Sequence, residues 1–151
     1  MATEMLDNIN LIILDKDTKE EVLEVLSNIA IEAGYAKLGY YEAILEREEK
    51  YPTGLHTHQV EVAIPHADAE WANLSSLTIG LLEKPVIFGP MGGEGGDVAA
   101  EIVFMLTIKD PKEQIDFLRA FSTMIQDPQV LLDFKKTGDL KKISDQIRKN
   151  M

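Results

Sequence analysis

The chain contains no cysteine. That excludes disulfides, zinc sites built on thiolates, and thiol catalysis. It is also poor in positive charge: 15 Lys and Arg stand against 26 Asp and Glu, for a formal net charge of −11. Nucleic acid demands a basic face, so this balance argues against it as a partner. An anionic membrane surface is disfavoured for the same reason. No stretch approaches the roughly 18 consecutive apolar residues of a membrane span. The opening "MATEMLDNIN" lacks the basic start and apolar core of a signal peptide. Direct membrane insertion is therefore not expected, and the absence of cysteine is compatible with the cytoplasm.

What is present is ordinary for a globular protein. The 151 residues are 45% hydrophobic and 27% charged, and one domain over 1–151 is expected. A chain of this length buries about two-thirds of its unfolded surface, so it needs no structural metal. An acidic surface would also suit a basic patch on a partner protein.

Hydrophobic periodicity orders the chain. "LIILD" (11–15) reads as a strand. A helix follows, with Asp17 as cap, Glu20 three residues on and Gly34 as stop. Val22, Leu26, Ile29 and Ala33 share one face of it. A second helix covers 40–50 and ends before Pro52, with Tyr40, Ile44 and Arg47 on one side. Strands are expected at 60–64, 76–82 and 101–108, the last two apolar enough to be covered on both faces. Between them the glycines of "KPVIFGPMGGEGGD" mark a flexible loop. Three helices close the chain, two opening on Asp-Pro with the proline at the first helical position. The fold class expected is α/β: a layered sandwich with a mixed, mostly buried sheet flanked by helices.

All three histidines lie in "PTGLHTHQVEVAIPHAD" (52–68). On an extended segment His56 and His58 would face one way and could share a metal with His66 or a carboxylate. No HExxH accompanies them, and Gly54 and Thr57 suggest a turn, so two partly exposed loop histidines are the simpler reading. The glycine-rich stretch lacks the Lys-Ser/Thr of a P-loop, and Glu94 and Asp97 would repel phosphate. No GxSxG elbow accompanies Ser75 or Ser76. His66 stands apart. It follows Pro65 at the C-terminal end of a buried strand, where α/β sheets carry ligands. A neutral imidazole held there would be solvent-reachable and nucleophilic near neutral pH. A structural role at the strand end stays open on this reading.

The segments "LEREEKYPTG" and "VAIPHAD" carry a resemblance. Together they resemble the phosphocarrier enzyme IIA domains, of the fructose/mannitol class, of the bacterial phosphoenolpyruvate–sugar phosphotransferase system. The likeness covers almost the whole chain. The spacing from Thr53 to His66, with "KDPKEQ", agrees with the galactitol-type branch. It implies a sheet sandwiched between helices. It implies that His66 takes a phosphoryl group from the small carrier HPr and passes it to a IIB component, with the membrane component IIC reached through IIB. Arg47 matches the family's active-site arginine, and a guanidinium fork suits phosphoryl charge. Mannitol-type members place a second histidine where this chain has Gln114, a neutral hydrogen-bond donor. Gln114, Leu118, Phe121 and Ile125 are expected on the inward face of their helix. No cofactor or metal is implied. A regulatory phospho-sensor of the same fold and, from a different class, a metal-dependent hydrolase are the competing readings.

Overall fold

The computed structural model describes residues 4–151. Its strands are β1 (Ile9–Leu14), β2 (Gly54–Leu55), β3 (Glu61–Ala63), β4 (Ser76–Phe88) and β5 (Val98–Thr107). Its helices are α1 (Glu4–Asp7), α2 (Lys19–Glu32), α3 (Tyr40–Lys50), α4 (Pro111–Met124), α5 (Pro128–Thr137) and α6 (Leu140–Lys149). The strands form one mixed sheet in the order β1-β4-β5-β3-β2. β1 runs parallel to β4 and β3 parallel to β5, while β4–β5 and β2–β3 are antiparallel.

Strand alternation divides the side chains between two cores. Leu77, Ile79, Ile102, Phe104 and Leu106 point to the layer of α4, α5 and α6. There the Phe104 ring meets Phe121 edge-on at 4.8 Å and stacks towards Phe134 at 6.1 Å. Leu82, Val86, Val103 and Met105 point to the other layer and meet Val22, Leu26, Tyr40 and Ile44 of α2 and α3. The expected α/β sandwich with a buried mixed sheet is the architecture found.

Several details differ from the sequence reading. Thr18, not Asp17, caps α2: its hydroxyl accepts from the Glu21 amide at 3.2 Å. Asp17 instead pairs with Lys84 on β4. The capping pattern is present but shifted by one residue. The inward face of α2 is Val22, Leu23, Leu26, Ser27 and Ala30, while Ala33 is exposed beyond the last turn. β4 runs on through Phe88, past an irregularity between Leu81 and Val86, so Val86–Phe88 pair with β5. In the sequence, Lys84 and Pro85 interrupt the apolar run, which places these residues in the loop. β2 leaves no signal in the sequence, because two residues show no periodicity. On α4 the buried positions are Glu113, Phe117, Ala120, Phe121 and Met124. Gln114 and Leu118 sit half-buried at the margin of that face.

Gly54 ties the short edge of the sheet to the glycine-rich loop. Its amide donates to the Gly89 carbonyl at 2.9 Å. A Cβ at Gly54 would lie 2.5 Å from that carbonyl oxygen and 2.8 Å from Val98 Cβ, so the backbones could not stay this close. Gly54→Ala is expected to destabilise the fold by about 1–3 kcal/mol, as overpacking does. Urea denaturation measures it, and an unchanged midpoint would contradict this packing.

Candidate active site

The site begins where β3 runs out. Val62 and Ala63 pair with β5, and then the chain passes through Ile64 and Pro65 to His66. Pro65 has no N–H to give, but its carbonyl accepts from the Leu106 amide at 2.9 Å. That bond, with a bridge between His66 and Leu106, keeps the segment beside β5.

His66 is 7% exposed. It is not the openly solvent-reachable imidazole expected from the sequence; a cavity gives access to it. Nδ1 lies 2.9 Å from the Ile64 carbonyl oxygen. A carbonyl only accepts, so Nδ1 carries the hydrogen and Nε2 of the neutral ring holds a lone pair. Nε2 lies 3.2 Å from the side-chain nitrogen of Gln114, which can donate to it. Burial pushes the His66 pKa below its ordinary value, and the nearby Arg47 charge adds to this against the Ile64 bond and Asp68. The ring is therefore neutral at neutral pH.

The cavity in front of His66 holds about 530 Å³ and is lined in part by Arg47, Tyr51, Thr53, Gly92 and Gln114. The end of α3 brings Arg47 to it. The guanidinium sits 5.4 Å from the Tyr51 ring centroid, and Nη1 donates to Asp68 Oδ1 at 3.2 Å. Arg47 Nε is buried without a hydrogen-bond partner, which leaves one directed N–H unused. Gln114 comes from the first turn of α4, whose start is fixed by Asp110 accepting from the Lys112 amide at 3.0 Å. The three residues singled out from the sequence, His66, Arg47 and Gln114, thus meet at one cavity.

The glycine-rich loop belongs to this site, although the sequence suggested only a flexible loop. Met91, Gly92 and Gly93 line the cavity. Gly92, Gly93, Gly95 and Gly96 all have positive φ, which explains the glycine run by backbone conformation. His56 clasps its far end. Nδ1 of His56 lies 2.8 Å from Glu61 Oε2, and Nε2 lies 2.9 Å from the Gly96 carbonyl oxygen. Two acceptors require two N–H groups, which is the protonated ring. The Gly96 carbonyl and then Glu61 raise the His56 pKa above its usual value. His58 is exposed on the same stretch. Among the described residues, no group of three or more His, Asp or Glu side chains could hold a metal ion.

Two residues after His66, Asp68 is placed by the sequence either to support the imidazole or to shape the turn. It pairs with Arg47, and the Ile64 carbonyl orients the ring.

The family model for the phosphoenolpyruvate-dependent sugar phosphotransferase system, EIIA 2, matches residues 5–150. The chain belongs to this family. The galactitol-specific EIIA component of the phosphotransferase system of Escherichia coli K12 is 28% identical over 113 residues, 75% of either chain. Among solved structures, Escherichia coli enzyme IIA mannitol in complex with phosphorylated enzyme IIB mannitol matches with a TM-score of 0.73 at 20% identity, over 94% of each chain. The crystal structure of IIA mannitol from Escherichia coli matches with a TM-score of 0.71 at 22% identity, over 93% of this chain and 96% of that one. The fold is thus that of the solved EIIA proteins. Family membership makes the chain a phosphotransferase component of a sugar phosphotransferase system. Among the described residues, no helix of this EIIA is long and apolar enough to cross a membrane.

Two of its histidines should titrate on opposite sides of the ordinary value of about 6.5. His56, raised, contributes stability that is complete below the unfolded value and is lost as pH rises through its folded pKa. His66, depressed, works the other way. Below about 6.5 the unfolded chain takes up a proton that the folded ring refuses, so stability falls as pH drops. Nitrogen-15 NMR titration, assigned with His56→Ala and His66→Ala, reads both. A His66 midpoint at or above His56 would contradict the geometry.

Proposed function

We propose that this EIIA, acting as one unit over 1–151, accepts a phosphoryl group from phospho-HPr on Nε2 of His66. It then passes the group to a IIB component during uptake of a sugar or polyol of the galactitol type. The observation that carries this reading is the fixed tautomer: Nδ1–H is held by Ile64, and the Nε2 lone pair faces a cavity that also holds Arg47.

The Nε2 lone pair attacks phosphorus in line as the donor's bond to phosphorus breaks and its electron pair leaves with the donor. The Gln114 amide turns from Nε2 to a phosphoryl oxygen. Arg47, which lines the cavity, offsets charge at a second oxygen. Nδ1 keeps its proton, so the phosphorylated ring is cationic and departs as a neutral imidazole when IIB attacks. The positive end of α4 also favours the group.

A IIB partner is supported by the likeness to a IIA mannitol protein solved with phosphorylated IIB mannitol. The galactitol-type assignment is supported by the 28% identical galactitol-specific relative and by Gln114 in place of a second histidine. IIC is reached through IIB, and the reaction takes place in the cytoplasm. The net charge of −11 suits partners that offer a basic face.

Incubation with phosphoenolpyruvate, enzyme I and HPr should give one acid-labile phosphoryl adduct by intact mass. His66→Ala should abolish it, and His58→Ala should leave it unchanged. Arg47→Ala should slow its formation by about 10²–10³-fold, the scale of losing one oxyanion donor. A wild-type protein that stays unmodified while HPr is phosphorylated would overturn the proposal.

A further inference from the structure

Glu48 is a buried carboxylate for which the reaction above has no use. It is 1% exposed, in the last turn of α3, next to Arg47. Burial pushes its pKa up, and bonds from Thr53 work against that. A leucine would fill this space without the cost of dehydrating a polar group. What a carboxylate adds is two acceptors at a fixed spacing, and both are used on one residue. Oε2 accepts from the Thr53 amide and Oε1 from the Thr53 hydroxyl, each at 2.8 Å.

From Thr53 the bonds continue to the nucleophile. The Thr53 carbonyl accepts from the Ile64 amide at 3.2 Å. The Ile64 carbonyl accepts from His66 Nδ1 at 2.9 Å. An unbroken series of hydrogen bonds therefore joins the end of α3 to the imidazole that Arg47, one residue earlier on that helix, faces across the cavity. Glu48 takes both the amide and the hydroxyl of Thr53, while Pro52 before it has no N–H and Gly54 after it is held separately by the Gly89 carbonyl.

We infer that Glu48 is a positioning residue for His66, acting through Thr53 and Ile64 to hold the tautomer and place of the ring relative to Arg47. The inference rests on the proposed phosphoryl transfer for its kinetic consequence but not for its structural one. It is a claim about geometry, and the variants can separate it from an effect of charge on Arg47. In Glu48→Gln the amide oxygen can accept from the Thr53 N–H while the amide nitrogen donates to the Thr53 hydroxyl, so the clamp survives without its charge. Glu48→Asp keeps the charge on a side chain one methylene too short to hold both bonds. Glu48→Ala removes the clamp, and Thr53→Val removes one arm from the opposite side.

Two readouts decide it: the His66 tautomer by nitrogen-15 NMR, and kcat and KM for transfer from phospho-HPr. Wild type should show Nδ1–H alone, and Glu48→Gln should recover most of the rate. Glu48→Asp, Glu48→Ala and Thr53→Val should show mixed tautomers and a kcat at least about tenfold lower with KM unchanged, since small misplacements cost this much or more. If Glu48→Ala fails to fold, Glu48→Asp and Thr53→Val carry the test. A wild-type tautomer in those two variants overturns the inference, as does a Glu48→Gln loss as large as that of Glu48→Asp. The NMR arm needs no phosphoryl donor. A wild type that takes up no phosphoryl group therefore refutes the proposed function, while the tautomers still decide the role of Glu48.

Discussion

A neutral imidazole has one N–H, and in His66 the Ile64 carbonyl takes it. The rest of the site follows from that bond. It commits the lone pair to Nε2, the nitrogen that also meets Gln114. That lone pair exists only while the ring is neutral, and burial favours neutrality by disfavouring the charged form. The bond also requires that the carbonyl two residues back be turned towards the ring rather than into a sheet ladder. The proline between them helps, because it has no N–H and its own carbonyl is what keeps contact with β5.

The sandwich architecture is what lets several elements converge on one nitrogen. α3 lies on one face of the sheet and brings Arg47; α4 lies on the other and brings Gln114. His66 stands between them, just past the end of β3, where the sheet no longer separates the two layers. Each helix is fixed along its length by a packed core, Tyr40 and Ile44 on one side and Phe117 and Phe121 on the other. The polar residues at their ends thereby hold their positions without a dense polar network of their own. The glycine-rich loop closes a further wall, and His56 holds it at Gly96.

The sequence made much of this legible, for reasons that differ by element. Apolar periodicity and Asp-Pro caps located the long helices, because these are local signals. Apolar composition located the cores of β4 and β5 but not the end of β4. Pairing with β5 carries that strand past Lys84 and Pro85, and pairing is not a local property. His66 was visible from its strand-end proline, and Arg47 and Gln114 from a family resemblance. The Arg47–Asp68 pair, the Glu48–Thr53 clamp and the His56–Gly96 clasp were not visible. The first and last join residues 21 and 40 positions apart. The Glu48–Thr53 pair is only five apart, but it depends on a turn whose shape no periodicity encodes. Positive φ at four glycines likewise states a backbone need, not which cavity the backbone will line.

Charge is the remaining problem, since the proposed chemistry brings a phosphoryl dianion to a protein of net charge −11. Arg47 and Lys50 are the cations lining the cavity; at rest Lys50 is paired with Glu46, and Arg47 Nη1 is already paired with Asp68. That pair is weak by construction. Asp68 is 70% exposed and Arg47 33%, and ion pairs so open to water contribute about 0–1 kcal/mol. A phosphoryl group arriving in the partly dehydrated cavity would offer the guanidinium a stronger charge-assisted bond. Arg47 can then turn to it without a large loss. The same weakness matters on release. Asp68 remains within reach as an alternative partner, so the arginine does not face an unpaired state when the phosphoryl group leaves. A carrier must bind its cargo in the transition state without trapping it in the ground state. An arginine shared between the cavity and an exposed carboxylate meets that requirement better than one committed to the phosphoryl group alone.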